Sequence, residues 1–423
     1  MRETRLGNIA NVDLSGIDKK TRDGERAVRL CNFTNVYRGW AVTKNMYDGL
    51  MTATASEKDF STFLLRKGQV AITKDSETRD DIGIATYIAD DFDDVVLGYH
   101  CALITPKDDI PEDEKVYGKY LNALLHTQYA QKYFSNNATG SGQRYTLSKK
   151  VIEDMPLLLP SIGEQKCIGD FLSDIDRKIE IDNYVNAELE SMVKQIYDYW
   201  FVQFDFPNEE GKPYKSSGGK MVWNETLNRE IPEGWSIKKL KDLFDCNVNG
   251  TEPGNHLSGL DYCPIDEIPI RRMSFSGGKG WEEANSSLQL YNKRDILIGA
   301  MRVYFHRCSI ASNPGITRTT TLVLTPKDLN NLSYLYQVCN EERTFIYATR
   351  VSTGTQQPYV TWESLSLLDV PYPNNDKPIS DYCIYTNSII DKVLDNVQEV
   401  AELQSLRDYL LPLLMNGQVT IKD

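Results

Sequence analysis

Between residues 168 and 200 the chain places its apolar side chains at alternating steps of four and three. The series runs Ile168, Leu172, Ile175, Ile179, Asp182, Asn186, Leu189, Val193, Ile196 and Trp200, and eight of its ten members are apolar. Such steps trace the seam of a coiled coil, so the stretch predicts a long helix with one side against a second helix. Asp182 and Asn186 interrupt the seam, where polar residues fix register or mark a change of phase rather than add stability. A second series, Ile390, Val393, Val397, Val400, Leu403, Leu406 and Leu410, predicts another such helix. Neither stretch contains Pro or Gly between 170 and 200 or between 379 and 411.

The regions before these helices follow a different pattern. Short runs rich in β-branched and aromatic residues ("QVAIT", "IGIATYIA", "VVLGYHCALIT", "DILIGAMRVYF", "TTTLVLT") alternate with Gly, Asp and Asn, and helical stretches are expected at Tyr117 to Phe134 and Leu332 to Arg350. That is the pattern of α+β domains with much antiparallel strand. A Gly/Ser/Pro-rich connector, positions 206 to 235, leads into the second of them.

The chain also repeats itself. "TGSGQRYTLSKKVIEDMPLLLP" (139–160) and "STGTQQPYVTWESLSLLDVPYP" (352–373) share only Gln143/Gln356 and Pro160/Pro373 as identities, yet follow one plan. Small residues precede a Gln, a hydroxyl follows five residues later (Ser148, Thr361), and an apolar stretch ends in Pro. The plan predicts a loop, a short helical turn and a strand. "ALITPKDDI" (102–110) is answered by "LVLTPKDLN" (322–330), and "AELESM" at Ala187 by "AELQSL" at Ala401. Three echoes in the same order indicate a duplication. The order domain, helix, domain, helix then predicts antiparallel helices and pseudo-two-fold symmetry, with each helix of about 35 residues roughly 50 Å long. The expected segments are a first domain over 1–160, a helix over 161–201, a connector over 202–230, a second domain over 231–373, a helix over 374–416 and a tail over 417–423.

Charge changes this picture less than its total suggests. The net charge of −13 argues against a nucleic-acid partner, because affinity for phosphates comes from Lys and Arg. However, residues 1–160 carry 21 basic and 23 acidic side chains and residues 207–373 carry 18 and 19, whereas 161–206 carry 4 and 10 and 374–423 carry 4 and 8. The excess acid lies in the helical segments, leaving each domain free to present a local basic face.

Candidate chemistry is sparse. Eight cysteines occur singly and four histidines are not spaced with Cys or acids as a metal site requires, so no metal is expected. The chain has no phosphate-binding GxxxxGK[ST] loop, no dinucleotide fingerprint, no GxSxG and no HExxH, and catalysis by this chain alone is not expected. His100 and His306 lie within apolar or aromatic runs and are expected to be structural. No apolar run reaches the roughly eighteen residues needed to span a bilayer, and "MRETRLGNIANVDLSG" at the N-terminus lacks a signal-peptide core. A cytoplasmic location without membrane partners is therefore expected.

Taken together, this organisation resembles the specificity subunit of type I restriction-modification systems. "LPSIGEQKCIGDFLSDIDRKIE" (159–180) is similar to the family's exit from a recognition domain into its spacer helix, through Pro160, Glu164-Gln165 and Ile175-Asp176. "YWFVQFDFPNEEGKPYKSSGGKMVWNETLNREIPEGW" (199–235) resembles the connector into the second recognition domain. Two departures are plain: the first domain opens without Pro-Glu-Gly-Trp, and "NNDKPIS" replaces Glu-Gln after Pro373. The resemblance implies a non-catalytic subunit that reads a split, asymmetric site on double-stranded DNA. It also implies two methyltransferase subunits and additional restriction subunits as partners, with S-adenosylmethionine, ATP and magnesium held by those partners and no cofactor on this chain.

Base edges are discriminated by Arg, Gln, Asn and Thr. By type and place the candidates for DNA contact are Gln143, Arg144 and Tyr145 in the first loop, Gln356 and Gln357 in the second, and Arg302 and Arg318 among strands of the second domain. The helices around Ile175, Leu189, Ile196, Val397 and Leu403 are expected to dock the partners through their outer faces. A competing reading is a scaffold that holds two proteins at a fixed separation without reading DNA.

Overall fold

The structure, a computed structural model, describes residues 1–140, 142 and 144–421. The chain divides into two units, Met1–Lys178 with Leu403–Asp423, and Ile179–Glu402.

In the first unit a five-stranded sheet has the order Ala10–Leu14, Cys101–Pro106, Val70–Thr73, Ala85–Ile88, Ala41–Val42. All its pairings are antiparallel except the last. The strands Val70–Thr73 and Ala85–Ile88 are buried throughout, as their continuous apolar runs require. Arg2–Arg5 pairs antiparallel with Pro156–Leu159, and Arg26–Cys31 runs parallel to Val95–Leu97 in a further sheet.

The second unit reproduces this plan. Its five-stranded sheet has the order Phe244–Cys246, Thr321–Pro326, Ile296–Gly299, Cys308–Ala311, Ser274–Phe275, again antiparallel except for the last pair. Trp235–Lys239 pairs with Asp369–Pro373 as Arg2–Arg5 does with Pro156–Leu159. The repeated phrase has a common role as well. Ser148 Oγ accepts from the Val151 N–H (3.3 Å) and Thr361 Oγ1 from the Ser364 N–H (3.2 Å), each capping the short helix before a strand. The predicted α+β duplication is thus present at the level of strand order and of individual caps.

The two shorter helices are each broken where one was expected. Gly118–Leu125 and Gln128–Asn137 are separate because Thr127 takes an extended conformation and its hydroxyl caps Ala130 (3.3 Å). Leu332–Asn340 and Glu342–Val351 part at an extended Glu341.

The long helices span Ile162–Tyr197 and Lys377–Met415. The Glu164-Gln165 pair explains how the first begins. The Glu164 carboxylate accepts from the Ser161 N–H (3.0 Å) and hydroxyl (2.8 Å). Buried Gln165 accepts from the Tyr117 N–H (3.0 Å) and donates to the Pro160 carbonyl (3.1 Å), fastening the helix to its domain. In the first unit Leu172 packs with Leu411 and Leu414, and Arg407 lies 3.5 Å from Asp176 with its guanidinium 4.7 Å over the Trp40 ring. In the second unit Asn396 Nδ2 donates to Asn186 Oδ1 (2.8 Å) and Tyr382 OH to the Val193 carbonyl (3.1 Å). Within each unit ascending positions of one helix meet descending positions of the other, so the segments run antiparallel. Asn186 and Asn396 are fully buried, and one of the two polar interruptions of the seam, Asn186, meets an amide across it through a single hydrogen bond.

Candidate nucleic-acid interface

Each domain gathers its candidate residues at one end of its five-stranded sheet, and the same backbone hydrogen bonds do this twice. In the first domain the Lys74 N–H donates to His100 O (2.8 Å) and the Leu147 N–H to Lys74 O (2.8 Å). In the second the Ala300 N–H donates to Thr320 O (3.1 Å) and the Val360 N–H to Ala300 O (3.0 Å). Strand pairing adds Tyr145 to Ser76 and Thr146 to Asp75, matched by a bridge from Met301 to Tyr359. In this frame Thr146 corresponds to Tyr359, and Arg144 to Gln357. Gln143 lies outside the described residues.

The first site is charged. Arg144, whose side chain is 58% exposed, donates through Nη2 to Tyr99 OH (3.2 Å) and lies 3.6 Å from Asp75. Asp75 is nearly buried and accepts from Lys74 Nζ (2.8 Å). His100 Nδ1 lies 2.6 Å from the Asp75 carboxylate, a distance at which the ring N–H donates, so that nitrogen cannot also accept from Arg144. Burial pushes the Asp75 carboxyl upward, but hydrogen bonds from Lys74, Thr146 and His100 outweigh it and hold the pKa down to about 2. Asp75 is therefore a fixed anion that orients three cationic or polar side chains. Arg79 stacks over the Tyr145 ring at 5.2 Å, and a cleft of about 370 Å³ opens between Lys74, Tyr99, Gly140 and Arg144.

The second site is built from amides and arginines. Gln356, Gln357, Arg302 and Arg318 are all exposed. The Arg302 N–H donates to Pro358 O (2.7 Å), which places Arg302 beside the Gln356–Gln357 loop. Arg318 Nη2 donates to Ser286 Oγ (3.0 Å) and its carbonyl accepts from Gln289 (3.2 Å), at the end of a strand that turns into Thr321–Pro326. Ala300 and Met301 stand where the first domain has Lys74 and Asp75.

Sequence reading missed Lys74, Asp75 and Tyr99 in the first site and took His100 as structural. The available signal was position: Lys74 and Asp75 directly follow the buried run "QVAIT", at the sheet end that the end of the run "DILIGA" occupies in the second domain. His306 is structural as expected, with its ring stacked on Phe345 (3.7 Å), Nε2 bonded to Asn340 and its pKa lowered by burial.

The positions that mark the docking helices lie on the inner side of those helices, opposite the outer faces expected to dock. Ile175 is buried, Leu189, Ile196 and Val397 pack against the core of the second unit, and Leu403 is half-buried. The heptad seam that makes them regular also turns them away from solvent. The apolar residues the helices do present outward include Tyr184, Met192, Ile384 and Tyr385 in the second unit and Tyr409 in the first.

Two copies of one mixed domain, each with polar and cationic groups at the same sheet end and each paired with a long helix, define a duplicated two-site binding protein. The family model of the type I restriction modification DNA specificity domain matches residues 5–191 and 232–403, and the chain belongs to that family. It is similar to the type I restriction enzyme MjaIX specificity subunit of Methanocaldococcus jannaschii, 23% identical over 330 residues covering 74% of this chain and 72% of that one. The HindI specificity subunit of Haemophilus influenzae is 22% identical over 410 residues, covering 84% and 87% respectively. The crystal structure of a type I restriction-modification S subunit from M. genitalium shares the fold, with a TM-score of 0.55 at 14% identity over 98% of this chain and 95% of that one. Among the described residues no helix is long and apolar enough to cross a membrane.

Proposed function

We propose that this chain is the DNA-reading subunit of a type I restriction-modification complex and has no catalytic step of its own. Each domain reads one half of a split, asymmetric double-stranded site. The observation that carries this is the twice-built sheet end, where one backbone frame displays Arg144 and Tyr145 in the first domain and Gln356, Gln357, Arg302 and Arg318 in the second. Identical frames with different side chains are what two unlike half-sites require. Arg pairs with guanine and Gln with adenine in the major groove, whereas cations on phosphate set position without sequence.

The domain limits proposed are 1–160 and 231–373, with the helices carrying two methyltransferase subunits and, in the full assembly, restriction subunits. S-adenosylmethionine, ATP and magnesium belong to those partners in this reading. The docking surface is assigned to outward residues such as Tyr184 and Ile384 rather than to the seam.

Selection from a random duplex library by the chain assembled with its methyltransferase subunits tests the proposal. The expected result is a split consensus, with Arg144→Ala altering one half and Gln356→Ala/Gln357→Ala the other. A complex that assembles but enriches no sequence would establish the competing scaffold instead.

A further inference from the structure

The turn Val303–Phe305 follows strand Ile296–Gly299 and is held between two non-glycine residues in the left-handed region, Arg302 (φ 49°) and His306 (φ 56°). Such a conformation is costly for side chains with a Cβ and persists only where the surroundings enforce it. Here they do. Val303 is buried, the Arg302 N–H is bonded to Pro358 O (2.7 Å), and the His306 ring is clamped between Phe345 and Asn340. The first domain meets the same backbone requirement with Gly83 (φ 79°), two residues before the equivalent strand.

What this anchored turn presents is a pair of adjacent aromatic rings. Tyr304 is 51% and Phe305 44% exposed, with ring centroids 4.9 Å apart. Their exposure means that neither ring contributes much to the core. Around them lie Arg302, which bonds to the Gln356–Gln357 loop at Pro358 O, Arg271 paired with the acid Glu342, and the exposed Ile270. The corresponding stretch of the first domain, from Ser76 to Ile82 between Asp75 and Gly83, contains no aromatic side chain.

We infer that Tyr304 and Phe305 form a wedge that stacks on, or inserts between, bases of the half-site read by the second domain. This rests on the DNA-reading function proposed above. A rigid turn delivers the rings without ordering cost at binding, each base offers a π face whatever its sequence, and the neighbouring guanidinium groups contact phosphates on either side. The wedge therefore contributes affinity and local unstacking to one half-site only, while base choice remains with the amide and guanidinium groups.

The test uses the full-length chain, with and without methyltransferase subunits, on duplexes carrying its selected site with 2-aminopurine placed at successive positions. Fluorescence should rise on binding at a position within the second domain's half-site and at none in the other. Tyr304→Ala/Phe305→Ala should abolish that rise and weaken binding by about 5- to 150-fold for each stacked base. Base preferences and the unfolding midpoint should be unchanged, because both rings are exposed. A double variant that keeps both affinity and fluorescence overturns the wedge. So does one that binds DNA normally but no longer assembles with methyltransferase subunits, since the rings would then be a protein contact. Absence of sequence selection by the unsubstituted assembly would instead overturn the functional reading beneath it, and the two failures are read on different samples.

Discussion

The buried amide pair between the long helices gives a sharp test of what holds the second unit in register. Asn396 Nδ2 donates to Asn186 Oδ1, while Asn186 Nδ2 and Asn396 Oδ1 have no partner among the described residues. Replacing one Asn by Leu removes the single hydrogen bond and leaves the other amide wholly unsatisfied, a loss of about 1–3 kcal/mol against a partial gain from the added apolar surface. Replacing both removes every stranded atom. By analogy with buried polar pairs exchanged for apolar ones, Asn186→Leu/Asn396→Leu should be neutral to about 2 kcal/mol more stable. The two single losses therefore should not add, and a double-mutant cycle should return a coupling of about 2–4 kcal/mol favouring the double variant. Denaturant unfolding followed through tryptophan fluorescence suits the measurement, since Trp200 and Trp235 lie in the second unit's core cluster or pack against it. A double variant destabilised by the sum of the single losses would refute the reasoning and show that the amides act independently of one another.

Three further outcomes follow from the packing. His126 stacks on Trp40 (4.3 Å), and burial followed by the charge of Arg407 lowers its pKa to about 4. Its folded pKa lies below the unfolded value of about 6.5, so the unfolded chain takes up the proton first; stability is intact above that pH and falls toward pH 4 by up to about 3 kcal/mol. Unfolding midpoints between pH 7 and 4.5 should show this fall in the native chain and a smaller one in His126→Gln. Arg407→Met should cost about 1–3 kcal/mol by removing the charge beside Asp176 and over Trp40, and by relieving His126 it should also raise that residue's pKa, read by NMR titration. Phe201 sits edge-on to Tyr334 (4.8 Å) and Tyr382 (5.3 Å), and Phe201→Ala should cost about 3–5 kcal/mol, seen as a lower melting temperature of the second unit.

The parts of this molecule that were legible in the sequence are those fixed by local periodicity. The heptad seam marked both helices because each helical turn repeats the same demand for burial. The hydroxyls Ser148 and Thr361 marked two helix starts because capping involves residues only three apart. The breaks at Thr127 and Glu341 escaped notice because the apolar pattern runs through them and only the backbone conformation changes. Asp75 was invisible for a different reason. It is separated from His100 by 25 residues and from Arg144 by 69, and only the sheet brings the three together. The docking helices could be marked in the sequence only by their seam positions, because periodicity identifies the buried side of a helix and leaves the residues of its outer face unselected.

Comparison of the two sheet ends shows how one frame accommodates two chemistries. The hydrogen bonds from Lys74 to His100 and from Ala300 to Thr320 are made by backbone atoms, so they place no condition on the side chains. The side chains have accordingly diverged: Lys74, Asp75 and Arg144 on one side answer to Ala300, Met301 and Gln357 on the other. An anion such as Asp75 is tolerated only because Lys74 and His100 surround it; Met301→Asp placed into the second frame without them would leave a carboxylate lacking those partners. On the DNA-reading role proposed above, specificity is expected to change by small groups of contacting side chains rather than by single residues. Transplanting Lys74, Asp75, His100 and Arg144 together onto positions 300, 301, 320 and 357 should transfer the first domain's local base preference, read by library selection, whereas Gln357→Arg alone should not. Full transfer by the single substitution would show that Arg144 reads DNA without the support of Asp75.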